Sequence, residues 1–158
     1  MNSTTTFRGM AVLMAAMGLL HNAPAMADVV ASEGWARASV PGTNTAVGYL
    51  VLTNKGEEVA KLIALTTTVC DRLMIHRSTL DAQGVSRMWP VAKLEIEPGE
   101  TVRFDPNGLH LMFDELKAPL AVGQKVPVRM VFEGLPQVTV QLEVRPLVPE
   151  KAADHSRH

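Results

Sequence analysis

The chain has 158 residues and a formal net charge of -1 at pH 7. This length is sufficient for one domain with its own hydrophobic core. The near-neutral charge provides neither the basic patch that binds nucleic acid nor the polybasic segment that binds an anionic membrane surface. We therefore expect a single domain that has no nucleic-acid partner.

The N-terminal segment has the layout of a secretory signal peptide. A polar start with Arg8 is followed by an almost wholly apolar run over residues 9–20. Ala25 and Ala27 are small residues at the two positions that a signal peptidase reads, so cleavage is expected after Ala27. The apolar run is shorter than the roughly 20 residues that cross a bilayer. The sequence thus predicts a signal peptide over residues 1–27, export to the periplasm and no membrane span after cleavage.

Cys70 is the only cysteine in the chain. No intramolecular disulfide can therefore form, and no cysteine lies near residue 27 to carry a lipid anchor. A lone thiol in an oxidising compartment is either buried or reactive. Because Cys70 lies in the apolar-leaning run of residues 62–73, we expect it to be buried.

The remaining chain consists of short strand-like runs separated by Pro and Gly turns. Residues 137–144 alternate between apolar and polar side chains, which is the period of a half-buried strand. Many short strands at even spacing predict an antiparallel sandwich or barrel. The expected strands are 35–40, 46–53, 60–68, 72–79, 85–88, 94–96, 101–104, 109–113, 125–133 and 137–144.

The same patterns set the expected domain limits. We expect a folded domain over residues 28–148 and a flexible polar tail over residues 149–158. No segment after the signal peptide has a long helical period, and a turn of helix is expected only over residues 114–120.

Four residues combine type and spacing in a way that is typical of a soft-metal site. Eleven residues separate His76 from Met88, and another 21 separate Met88 from His110. Met112 lies two positions after His110 and so on the same face of a strand. His76 and Met88 flank a hairpin turn predicted at residues 81–84, across which side chains can meet. The two local pairs can therefore converge on one point.

The chemistry of these side chains favours copper(I). Thioether sulfur is soft and uncharged, and imidazole is borderline, a combination that suits copper(I) better than zinc, magnesium or calcium. The set contains no carboxylate to favour hard ions. Taken singly, a methionine is usually core filler and a histidine is usually a satisfied polar residue. The prediction therefore depends on the joint pattern.

The pattern resembles the signature of the periplasmic copper chaperones of the PCu(A)C type, which serve the dinuclear copper centre of cytochrome c oxidase. That signature is a His, a Met twelve positions on, 21 further residues and then His-x-Met, and the chain matches it without an insertion. Many members also carry a Met directly after the first His, where this chain has Arg77. Residues 35–38, 53–56 and 116–120 resemble other family segments. The resemblance covers nearly all of the chain after residue 27.

This resemblance implies a function as well as a fold. The implied fold is a Greek-key, cupredoxin-like β-sandwich, and the implied copper(I) ligands are His76, Met88, His110 and Met112. The implied function is a monomeric metallochaperone, not an enzyme. It would deliver copper to the copper-accepting subunit of cytochrome c oxidase or to another periplasmic copper protein.

Several other residues are secondary candidates. Met74 lies two positions before the first His of the motif and is either a spare ligand or, as we prefer, part of the core. Trp89 follows a candidate ligand and lies either near the metal or simply in packing contacts. Met130 is expected in the core. His155 and His158 could hold a second copper, as Cu(II), in the way proposed for the His- or Met-rich tails of some family members.

Three other functions remain open from the sequence. An electron-transfer cupredoxin needs a Cys thiolate beside two His and a weak axial Met, but Cys70 lies outside the matched motif. A periplasmic buffering or resistance protein could use an identical site to sequester copper, and the fate of the copper on meeting an acceptor would distinguish it. A binding module without a metal would have no affinity for copper(I).

Overall fold

The computed structural model describes residues 28–147. The predicted signal peptide, residues 148–158 and the histidines of the tail lie outside the described residues. Within the described part of the chain the regular structure is entirely β, and no helix occurs. The strands are β1 (Val29–Arg37), β2 (Ala46–Asn54), β3 (Ala60–Thr67), β4 (Cys70–Leu80), β5 (Ser86–Pro90), β6 (Leu94–Ile96), β7 (Thr101–Arg103), β8 (Leu109–Leu116), β9 (Lys125–Phe132) and β10 (Val138–Arg145).

The strands form one mixed sheet that folds over onto itself. Its order is β5-β4-β8-β2-β1-β10-β9-β3-β6, and β7 pairs with β2. Phe113 on β8 and Phe132 on β9 lie far apart in this order but belong to one hydrophobic core. The two halves of the sheet therefore enclose the core between them, which confirms the predicted all-β sandwich.

Alternation along the strands explains how this core forms. On β10, Leu142 and Val144 are buried, whereas Gln141 and Glu143 are exposed, as the period of two predicts. The central strand β2 is buried on both faces over most of its length. Such burial is expected of a strand with neighbours on both edges and side chains packed on both sides.

Three features of the sheet differ from the sequence-based predictions. Strand β1 begins at Val29 and not at residue 35. A bulge with Glu33 at a φ of 52° interrupts the alternation of its side chains, so the sequence pattern did not reveal the first part of the strand. The expected helical turn at residues 114–120 is wrong, since β8 continues to Leu116 and pairs there with Cys70. The pairing of β1 with β10 is parallel, while the other strand pairs are antiparallel.

A loop between β7 and β8 fixes where β8 begins. Both strands pair with β2, β7 with its Val51–Thr53 end and β8 with its Ala46–Gly48 end. The intervening turn is closed by Asp105, whose carboxylate accepts a hydrogen bond from the Asn107 amide at 2.9 Å. The turn therefore places His110, the histidine of the His-x-Met string, at the start of the central strand β8.

Asn54 is the last residue of β2, and its replacement is expected to lower the stability of the fold strongly. Its side chain is fully buried, donates to the carbonyls of Glu58 at 2.6 Å and Ile96 at 2.9 Å, and accepts from the Gly56 amide at 3.0 Å. Asn54→Ala leaves these backbone groups without partners, so we expect the free energy of unfolding to fall by about 3 kcal/mol. Denaturant unfolding followed by fluorescence measures this loss.

The neighbouring residue provides a matched control. Thr53 makes an exposed side-chain hydrogen bond to Thr101 at 3.0 Å. Thr53→Ala should therefore cost well under about 1 kcal/mol. Equal losses for the two variants would contradict the role assigned to the buried amide.

Candidate metal centre

His76 and His110 lie directly opposite each other on the neighbouring strands β4 and β8. Their ring centroids are 5.9 Å apart and their planes meet at 76°, an edge-to-face arrangement. The motif separates these histidines widely in sequence, so only the pairing of β4 with β8 brings them together. The two imidazoles thus form a row across the sheet.

The methionines lie on the same face as this row. Met112 is two residues beyond His110 on β8, and its register partner on β4 is Met74. Met88 on β5 is opposite Ser78, which is two residues beyond His76 on β4. Register partners share a face, and residues two apart on a strand share a face. The structure therefore brings the four predicted residues to one face of β5-β4-β8.

Met74 belongs to this face and not to the core. It is half-buried, whereas the next residue, Ile75, is 5% exposed and packs in the core. The preferred expectation of a core position for Met74 is therefore wrong. The signal was present in the sequence, since Met74 and His76 are two residues apart on one strand.

The β4-β5 hairpin determines where Met88 lies. The Asp81 carboxylate accepts hydrogen bonds from the amides of Gln83 at 3.0 Å and Val85 at 2.9 Å. Gly84 adopts a φ of 78°, which a side chain would disfavour. This turn fixes the register in which Ser78 faces Met88. Strand β5 is the edge of the sheet, and Met88 is 57% exposed there.

A hydrogen bond to the backbone orients His110. The Gly108 carbonyl accepts a hydrogen bond from the Ser78 amide at 2.9 Å and lies 3.4 Å from His110 Nδ1. A carbonyl can only accept, so Nδ1 carries the proton and the lone pair is on Nε2. The contribution of Gly108 was missed from the sequence, although its position two residues before His110 could have indicated it.

The Nε2 atom of His110 is the clearest indication of a ligand. The side chain is 3% exposed, and Nε2 is buried without a hydrogen-bond partner in the structure. Buried polar atoms are nearly always paired, because an unsatisfied one costs about 1–3 kcal/mol. A histidine that donates through one nitrogen to a carbonyl and leaves the other free is typical of a metal ligand. These features fit a soft ion bound beside His76.

Burial also sets the charge of His110. Removal from solvent lowers the pKa of His110, the hydrogen bond to Gly108 opposes this shift, and the charge of His76 adds to it. The neutral form is therefore favoured in the fold. Only the neutral imidazole can donate its Nε2 lone pair to a metal.

The other residues singled out from the sequence lie away from the histidine row. Trp89 pairs with Arg77, so it is on the opposite face of the hairpin from Met88, and it is 54% exposed. The predicted burial of Cys70 is confirmed at 5% exposure, and burial raises the pKa of its thiol. Met130 is 1% exposed in the core, as predicted.

Two kinds of feature are absent from residues 28–147. No group of three or more His, Cys, Asp or Glu side chains is arranged to hold a metal ion in this range. Nor does this range contain a helix long and apolar enough to cross a membrane. The candidate centre consists instead of two histidines and the methionines beside them.

Comparisons with known proteins identify one family and one related sequence. Residues 29–144 match the family described as "Putative lipoprotein LpqE-like". A curated relative, "Putative lipoprotein Lxx21020" of Leifsonia xyli subsp. xyli, is 30% identical over 131 residues. The match covers 77% of this chain and 77% of that protein.

Solved structures share the fold. The copper-bound PCuAC domain from PmoF2 superposes with a TM-score of 0.63 at 20% identity, over 75% of this chain and 92% of that domain. The solution structure of CuI-DR1885 from Deinococcus radiodurans gives 0.59 at 26% identity, over 79% and 83%. These similarities confirm the expected cupredoxin-like fold. The chain therefore belongs to the LpqE-like family and has the fold of a PCuAC domain.

Proposed function

We propose that the chain is an exported copper(I) carrier whose metal is held by His76, His110, Met88 and Met112. The observation that supports this most directly is the buried, unpartnered Nε2 of His110. It faces no protein donor, it lies beside a second imidazole, and it shares its face of the sheet with the two motif methionines. Two imidazoles and two thioethers are all neutral donors, which suits a soft ion of charge +1.

The relatives support copper as the metal. One structural neighbour is described as copper-bound and another as holding CuI. PCuAC domains are carriers of copper and not enzymes, so we assign the same class of function to this chain. The signal-peptide pattern of residues 1–27 supports a location in the periplasm.

The position of Met88 supports the delivery of bound copper to another protein. This candidate ligand lies on the edge strand β5 and is 57% exposed, so another protein can approach it directly. Copper would then leave by ligand exchange without an opening of the core. The acceptor we propose is the copper-accepting subunit of cytochrome c oxidase or another periplasmic copper protein. A buffering or resistance protein is the alternative, because its site could be identical.

A copper(I) titration of residues 28–158 against a competing chromogenic chelator, under reducing conditions, tests the proposal. We expect one copper(I) to be withdrawn from the chelator per chain. The absence of any competition would remove the copper assignment, and the sandwich would then recognise something else.

The same loaded protein tests delivery. It is mixed with a soluble acceptor domain that carries an empty dinuclear copper site, and the two proteins are separated before copper is measured in each. Copper found with the acceptor supports a chaperone. Copper that stays with the chain, although the acceptor takes the free ion, supports buffering instead.

A further inference from the structure

We propose that Met74 is a reserve ligand, which binds copper(I) when Met88 leaves it. This inference rests on the proposed function but adds a residue that lies outside the four-residue motif. Its basis is the position of five donor side chains on one face of three strands, with the histidine row in the middle.

Met74 has the same relation to the histidine row as Met112. Each lies two residues from the histidine of its own strand, and the two are register partners. Directly opposite residues have Cβ atoms about 4.5–5.5 Å apart, and strand residues two apart are separated by about 7 Å. A flexible methionine can extend over such distances because it has three rotatable side-chain bonds. Met74 can therefore reach the metal from the same side of the histidine row as Met112.

Met88 lies on the other side of the row. Its register partner Ser78 is two residues beyond His76, in the direction away from Met74. Met88 is 57% exposed on an edge strand, whereas Met74 and Met112 are half-buried. Met88 is therefore the thioether that an approaching acceptor displaces first, and also the one that an oxidant reaches first.

The exchange needs no other reactant. The bond between copper and the Met88 sulfur breaks as a bond to the Met74 sulfur forms, and neither a proton nor an electron moves. Both thioethers are neutral, so the charge of the site is unchanged. Copper(I) then keeps two imidazoles and two sulfurs while Met88 is displaced, which would prevent its loss to solvent before the acceptor has bound it.

Three leucine variants of the same chain test this role. Leucine replaces methionine with little change in volume. We expect Met74→Leu alone to lower copper(I) affinity less than about 3-fold, and Met88→Leu alone to lower it about 10-fold. The double variant should lose about 100-fold or more, which exceeds the product of the single losses. Met130→Leu, in the core, is the matched control and should bind as the wild type does.

X-ray absorption at the copper edge gives a second readout. The wild type and both single variants should show two sulfur scatterers at the metal, and the double variant should show one. A single sulfur in Met88→Leu, or equal affinities for Met88→Leu and the double variant, would overturn the role of Met74. The copper proposal would stand in that case, whereas a wild type that binds no copper(I) would overturn both.

Discussion

Replacing Met88 and Met112 together by leucine is expected to lower copper(I) affinity at least about 100-fold. The variant loses one thioether from each side of the histidine row, and leucine has no donor atom. The chelator competition used for the wild type measures the loss. Unchanged affinity would remove both methionines from the site.

The fold should survive this double substitution. Met88 is 57% exposed and Met112 is half-buried outside the core, so volume-conserving changes there should cost less than about 1.5 kcal/mol each. Denaturant unfolding of the metal-free protein checks this. A retained transition beside lost binding separates the loss of ligands from the loss of structure.

His110→Leu should have opposite effects on binding and on stability. It removes a proposed ligand, so copper(I) affinity should fall at least about 100-fold. It also removes a buried Nε2 that has no hydrogen-bond partner. The hydrogen bond that is lost is only the long one, 3.4 Å, between Nδ1 and the Gly108 carbonyl. The metal-free variant should therefore be more stable by about 1 kcal/mol, seen as a rise in melting temperature of about 4 °C.

The pH dependence of stability provides a further check on this variant. The pKa of His110 is lowered in the fold, mainly by burial, so the unfolded chain takes up a proton first as the pH falls. The contribution of His110 is therefore complete above about pH 6.5 and is lost as the pH falls through the lower value in the fold. Stability of the metal-free wild type should decline over this range more steeply than that of His110→Leu. Equal declines, or a less stable variant, would contradict the environment described for His110.

Local patterns in the sequence predicted most of the strands and the two residue pairs that the structure brings to one face of the sheet. Alternation is a property of neighbouring residues, so β10 and the pair of His110 with Met112 could be found without knowing the fold. The Asp81-Gly84 turn likewise predicted that His76 and Met88 would approach across a hairpin.

Long-range pairing could not be predicted in this way. That His76 and His110 are direct partners depends on β8 inserting between β4 and β2, which no local pattern encodes. The early start of β1 was hidden by the bulge at Glu33, where the alternation shifts by one position. Met74 was assigned to the core because a lone methionine usually is core.

Strand β8 extends beyond the predicted residues 109–113 to Leu116 for the same reason. In this extension Asp114 pairs with the Arg72 side chain on β4. Cross-strand ion pairs of this kind support a sheet. The partner is distant in sequence, so only the folded chain reveals it.

The burial of Cys70 has a consequence for the proposed release of copper. A thiolate is the strongest copper(I) donor among protein side chains, and one beside the site would hold the ion against any acceptor with thioether and imidazole ligands. Cys70 is on the same strand as His76 but six residues away, about 20 Å along β4. Burial also raises the pKa of its thiol and so keeps it protonated. The sandwich thus keeps its only sulfhydryl away from the proposed site, so copper held there would stay exchangeable.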